Sequence, residues 1–332
     1  MRRFHIISIV IVVILVAVLG YLGTHKSYSQ GEPFSISKYH QNINDLGDIV
    51  KEQNPRAALK ELASRMKTDK FVFKNCHFMA HEIGRLSYDK YGDFDTALQY
   101  QDTTCSDGYL HGVIEEKFVK FPHNNHEIIT AVQSICNRYT YPDRCWHGVG
   151  HGLMFFTSND LPAALQICDT YPLLKARYRC YEGVFMENFL SDPNNHPSAY
   201  LDPDDPFTPC PDEPSKFKPT CYFYVPIYYL KLNHDDYASA INWCQSAEIG
   251  YESACVRGVG SLAMKYNIDN PKYVEKICMK APSNQISACI SGMVSYHKTF
   301  FGITPKTPSL CNVLDPAHVN ACRSASKRMI ID

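Results

Sequence analysis

Residues 161–168, LPAALQIC, carry apolar side chains at 161, 164, 165 and 168, with Gln166 interrupting the run. Apolar positions three and four apart define one face of an amphipathic helix. The same rhythm returns in DYASAINWC (236–244) and NPKYVEKIC (270–278), and each of these segments ends in cysteine. A second class of segment follows each time: CWHGVGHGLMF (145–155), CYEGVFMENF (180–189), CVRGVGSLAMKY (255–266) and CISGMVSYHKTF (289–300). These share a cysteine, then glycine three residues on, then valine or methionine. The pattern predicts a short helix A, a loop carrying Pro142, Pro172, Pro282 or Pro316, and a helix B whose first turn holds the second cysteine. One tract has no polar face at all. The uncharged run Ile6 to Leu22 follows Arg2 and Arg3 and is near the lower length limit for crossing a bilayer.

The cysteines set the register. From Cys136 onward they pair by spacing: Cys136 with Cys145, Cys168 with Cys180, Cys210 with Cys221, Cys244 with Cys255, Cys278 with Cys289, and Cys311 with Cys322. The second members advance by 35, 41, 34, 34 and 33 residues, a fixed period of the kind that stacked helical hairpins show. A bridge within each pair staples one hairpin across its loop and contributes about 2–3 kcal/mol in the loop-entropy model. The shared glycine favours close packing of helix B against a neighbour. Two earlier units fit the frame with one cysteine each. FDTALQYQDTTCSDGYLHG (94–112) offers Cys105, and PRAALKELASRM (55–66) followed by CHFMAHEIG (76–84) offers Cys76. Cys76 and Cys105 read as a bridge between adjacent repeats, with free thiols or metal ligands as the alternatives. Residues 190–221 are too rich in proline and aspartate for a helix A and predict a long ordered loop stapled by Cys210 and Cys221. Its acids Asp202, Asp204, Asp205, Asp212 and Glu213 lack the spacing of a calcium loop and read as solvated.

In period and hairpin form, though not in consensus residues, residues 55–325 resemble TPR-like and Sel1-like helical repeats, including the disulfide-stapled secreted kind. The resemblance implies an all-α, solenoid-like α/α-hairpin repeat domain, a right-handed stack of about eight hairpins over residues 55–332. A signal anchor at residues 1–24 and a linker and leading segment at 25–54 precede it.

Charge and cysteine content narrow the setting. The 33 basic and 34 acidic residues nearly cancel, which removes nucleic acid or an anionic membrane surface as the main partner. Fourteen cysteines, an even number, fit an oxidising compartment. Basic residues ahead of the apolar run favour an inside N-terminus and an extracytoplasmic remainder, in the cell envelope or periplasm. The exit VLGYLGTHKSYSQG (18–31) lacks a small-residue cleavage site, so the segment reads as a membrane anchor, with a cleaved signal peptide and a secreted chain as the competing reading.

Histidine then stands out by position. His77 and His81, His111, and His147 and His151 occupy three consecutive B helices, and both pairs are spaced i,i+4. Such a pair projects from one helix face and is able to bind one metal ion, with neighbouring helices adding further ligands. Imidazole-dominated ligation suits zinc, iron or copper. Glu115, Glu182 and Glu187 lie nearby in register and are candidate general bases for a metal-bound water. HEIGR (81–85) lacks the second histidine of a zinc-protease helix, and nucleophile-elbow, phosphate-loop and dinucleotide motifs are absent. The competing reading is a scaffold that binds a peptide, glycan or protein partner of the envelope, for which 22 tyrosines suit an exposed surface. In that case His147 and His151 would be packing residues of a tight helix start.

Overall fold

The computed structural model describes residues 35–122, 124–137, 142–191, 196–301 and 310–327. The expected anchor at 1–24 lies outside the described residues, and no described helix is long and apolar enough to cross a membrane. The chain divides into two units, Met1–His40 and Gln41–Asp332, and the repeats belong to the second.

All regular elements among the described residues are helices. After α1 (Ile36–Glu52) come the hairpins α2 (Pro55–Arg65) with α3 (Lys70–Tyr91), and α4 (Phe94–Leu98) with α5 (Gly108–Val119). Next are α6 (Asn125–Ile135) with α7 (Pro142–Phe156), and α8 (Leu161–Cys168) with α9 (Leu174–Leu190). Beyond the long loop lie α10 (Lys218–Tyr224) and α11 (Pro226–Leu232), a B helix broken at Pro226, which lacks the N–H needed to continue. The array continues with α12 (Tyr237–Trp243) and α13 (Glu252–Tyr266), α14 (Pro271–Cys278) and α15 (Ile286–Phe301), and α16 (Pro316–Lys327).

Local chemistry explains where the helices start. The A helices α2, α4, α6, α8, α12 and α14 open on Asn54, Asp93, Asn124, Asp160, Asp236 and Asn270, whose side chains accept from backbone N–H groups of the first turn. Each such cap contributes about 1 kcal/mol. The B helices divide in where they place the cysteine. Cys145, Cys255 and Cys289 lie in the first turn of α7, α13 and α15, as the pattern predicts. In α9 and α16 the helix starts a turn earlier than expected, at Leu174 and Pro316, well ahead of Cys180 and Cys322. The first B helix differs in the same direction: α3 starts at Lys70, capped by Asp69, well ahead of Cys76. The leading segment also holds a helix that its sequence did not announce. Its C-terminal carbonyls at Val50 and Lys51, with that of Gln53 just beyond, accept from the Lys90 ammonium at 2.7, 2.9 and 3.1 Å, the charge complement a helix C-terminus favours.

Disulfides fix the hairpins as the spacing predicts. Cys136 bonds to Cys145, Cys168 to Cys180 and Cys210 to Cys221. Cys244 bonds to Cys255, Cys278 to Cys289 and Cys311 to Cys322. Cys76 joins Cys105 with Cα atoms 5.7 Å apart, linking adjacent repeats and leaving no cysteine free. Between B helices the glycines set the spacing. A Cβ on Gly183, Gly258 or Gly292 would stand 2.0, 2.0 or 1.8 Å from the carbonyl oxygen of His147, Phe223 or Arg257 on the preceding B helix. Backbone therefore packs on backbone at the same register in all three interfaces. A linear solenoid touches only its neighbours, yet here α3 also meets α13 and α15. Phe73 lies 6.1 Å from Phe300 between ring centroids, and Lys265 sits 5.3 Å over Phe78.

Within the expected loop, residues 196–217 carry several turns and one short 3₁₀ helix, Cys210–Asp212. Phe207 anchors the segment by stacking on Trp243 at 3.9 Å. Asp202 and Asp205 accept from the backbone of Asp204 and Phe207 within the loop's own turns, as solvated loop acids do.

Candidate metal centre

Four consecutive B helices, α3, α5, α7 and α9, present the candidate histidines and glutamates to one interior. The tract HGVGHG on α7 shows how room is made. A Cβ on Gly148 would lie 2.7 Å from the ring carbon Cδ2 of His111, and one on Gly152 would lie 2.8 Å from Phe118. Gly150 faces the other way, where a Cβ would meet the Cys180 carbonyl oxygen at 2.2 Å. The alternate glycines thus admit side chains of α5 on one side and the backbone of α9 on the other. Between them, His147 and His151 turn inward. The tract is a tightly packed helix start and part of the histidine cluster at once.

The two i,i+4 pairs meet through the same ring atom. Nε2 of His81 lies 3.0 Å from Nε2 of His77, and Nε2 of His151 lies 3.2 Å from Nε2 of His147. The opposite nitrogens are tied outward. His77 Nδ1 donates to the Cys105 carbonyl at 2.7 Å, and His81 Nδ1 lies 2.8 Å from Glu115 Oε1. His151 Nδ1 donates to Glu187 Oε2 at 2.7 Å. His147 follows more loosely, its Nδ1 4.0 Å from Glu182 Oε2. His111 stands between the pairs, 3 % exposed, and neither of its ring nitrogens has a hydrogen-bond partner. Ligand atoms of His77, His81 and His111 lie within 4.8 Å of one another, as do those of His111, His147 and His151, and those of Glu115, His151 and Glu187.

Electrostatics keep three of the rings neutral and the carboxylates charged. Burial, reinforced by the neighbouring histidines, holds His77, His111 and His147 well below the ordinary histidine range. Burial alone would raise Glu115, but His81 and Arg85 outweigh it and bring it down to about 2. Burial likewise opposes ionisation of Glu187, and its hydrogen bond to His151 together with the nearby His196 ring overcomes that and holds it well below the carboxylate range. A carboxylate held ionised and already engaged orients a ring better than it accepts a proton.

The sequence-derived residues divide clearly. All five histidines converge, together with Glu115 and Glu187. Glu182 lies at the margin, paired with Arg179 at 2.6 Å. Two participants had not been singled out. Arg85 binds Glu115 at 2.9 Å and lies four residues after His81, on the same helix face. His196, from the long loop, stacks on Phe155 at 3.9 Å and places Nδ1 3.4 Å from Glu187 Oε1. The loop therefore covers one side of the cluster. On another side a pocket of about 10 Å³, room for about one water, lies against His77 and is lined by residues including Phe73, Ser106, Lys265 and Tyr296.

Comparison of the chain with protein families, curated proteins and solved structures finds no match.

Proposed function

We propose that this chain is a membrane-anchored extracytoplasmic protein whose B-helix interior binds a transition metal ion: zinc, iron or copper. One observation carries the reading. His77 Nδ1 faces a carbonyl, which only accepts, and His81 Nδ1 faces a carboxylate. With both rings neutral, each carries its proton outward, and two lone pairs confront each other across 3.0 Å. That arrangement is repulsive unless a cation lies between the nitrogens. Burial lowers the proton affinity of His77, so a metal ion competes well with a proton for that nitrogen. A metal fits: two nitrogens bound about 2 Å from one tetrahedral ion stand roughly 3.3 Å apart. The Nδ1–H to oxygen contacts are the outer-shell partners that fix metal-binding imidazoles.

Seven disulfides agree with an oxidising, extracytoplasmic setting. The anchor rests on the apolar run Ile6 to Leu22. In this reading Glu115 and Glu187 serve as ring-orienting carboxylates. The full chain, untagged and purified in detergent after export to an oxidising compartment, is expected to carry metal by elemental analysis. His77→Ala/His81→Ala with helicity intact should lose it in part. Metal-free wild type that stays empty after incubation with zinc, iron and copper would end the reading.

A further inference from the structure

We infer that the interior holds two metal ions and that His111 is the ligand shared between them, an inference that rests on the metal-binding reading above. Each histidine pair is a separate half-site. The Nε2 separations of 3.0 and 3.2 Å both approach the roughly 3.3 Å of two ligands on one tetrahedral ion. Each pair also has its own outer contacts: the Cys105 carbonyl and Glu115 for the first, Glu187 and more distantly Glu182 for the second. A single ion would leave one pair's lone pairs facing each other.

His111 completes both halves. Its ring centroid lies 5.3 Å from those of His77, His81, His147 and His151 alike. Imidazoles sharing one tetrahedral ion have centroids roughly 5 Å apart, given bonds near 2 Å. Both nitrogens of His111 are buried without partners, and each buried polar atom left unmade costs about 1–3 kcal/mol. His77, His81 and His151 each have Nδ1 within 2.8 Å of an oxygen, and His147 Nδ1 lies 4.0 Å from Glu182 Oε2. His111 keeps both nitrogens available within reach of the two pairs, and it stands in the space that Gly148 leaves open. With one nitrogen on each ion it becomes a bridging imidazolate, its ring proton passing to solvent as the ions bind.

Copper(II) alone is the probe, titrated into the chelator-stripped full chain and followed by elemental analysis and electron paramagnetic resonance. The expected result is two ions per chain with coupled spins. In His111→Ala the coupling should vanish and copper affinity fall at least tenfold. His77→Ala/His81→Ala and His147→Ala/His151→Ala should each retain one uncoupled ion, which keeps the test open if His111→Ala does not fold. One ion per wild-type chain would overturn the two-ion inference and leave the metal-binding reading standing. Two ions without coupling, or coupling that survives in His111→Ala, would overturn the shared role of His111. No copper at all would overturn both.

Discussion

Glu115 is fully buried, between the His81 ring and the Arg85 guanidinium. Removing its charge leaves Arg85 facing a neutral group. Breaking a buried pair costs about 3–5 kcal/mol, and Arg85 keeps 27 % side-chain exposure, which softens the loss. Glu115→Gln is therefore expected to lower the urea-unfolding free energy of the stripped protein by about 2 kcal/mol; a change within about 0.5 kcal/mol would contradict the role given to this carboxylate. The pH dependence follows from the same residues. Below the ordinary histidine value of 6.5 the unfolded chain protonates His77, His111 and His147 while the folded chain resists. Their contribution is full above that pH and lost as pH falls. Glu115, with a folded value of about 2 against an ordinary 4.5, adds a second loss between those limits. Denaturation of metal-free protein at pH 8, 6.5 and 5 should show stability dropping at the acid end, and a flat profile would count against buried neutral rings. At this scale the histidines were legible because i,i+4 spacing fixes a helix face. Arg85 shared that face and was readable by the same rule. His196 was not, since nothing local in a proline-rich loop says which helix it reaches.

Helices and hairpins were the most legible level. Cysteine and glycine recur because each answers a local geometric demand, a staple across a loop or backbone contact between B helices. Gly292 shows the second demand away from the metal cluster. Gly292→Ala would put a Cβ 1.8 Å from the Arg257 carbonyl oxygen and force α13 and α15 apart. The expected cost is about 2–3 kcal/mol, typical of overpacking, with metal content unchanged. Gly148→Ala would press on the His111 ring instead, and should weaken metal binding more than it lowers stability. Thermal unfolding and metal titration of the two variants together separate these effects, and equal losses of metal in both would contradict the assignment. Replacing Cys278 and Cys289 with serine should cost about 2–3 kcal/mol, as a short stapled loop requires. What the repeat frame did not reveal were features that depend on distant partners. Helix α1 is completed by Lys90, about forty residues further on, whereas the Cys76–Cys105 link was readable as a bridge between adjacent repeats because each unit offers a single cysteine.

At the scale of the whole repeat unit, the contacts between α3 and α15 depart most from the linear stack that the sequence predicted. Phe73 and Phe300 meet at 6.1 Å, a separation at which aromatic pairs contribute about 0.5–1.5 kcal/mol beyond area burial. A double-mutant cycle with Phe73→Leu and Phe300→Leu should return coupling in that range, and zero coupling would place these two B helices out of contact in solution. Those helices also line the small pocket beside His77. The central claim is that a metal ion lies between paired imidazoles, and anomalous diffraction at the zinc edge from crystals of the zinc-loaded full chain tests it most directly. A peak about 2 Å from Nε2 of both His77 and His81 is the predicted result. Absence of any peak, with those two nitrogens still facing each other, would contradict it.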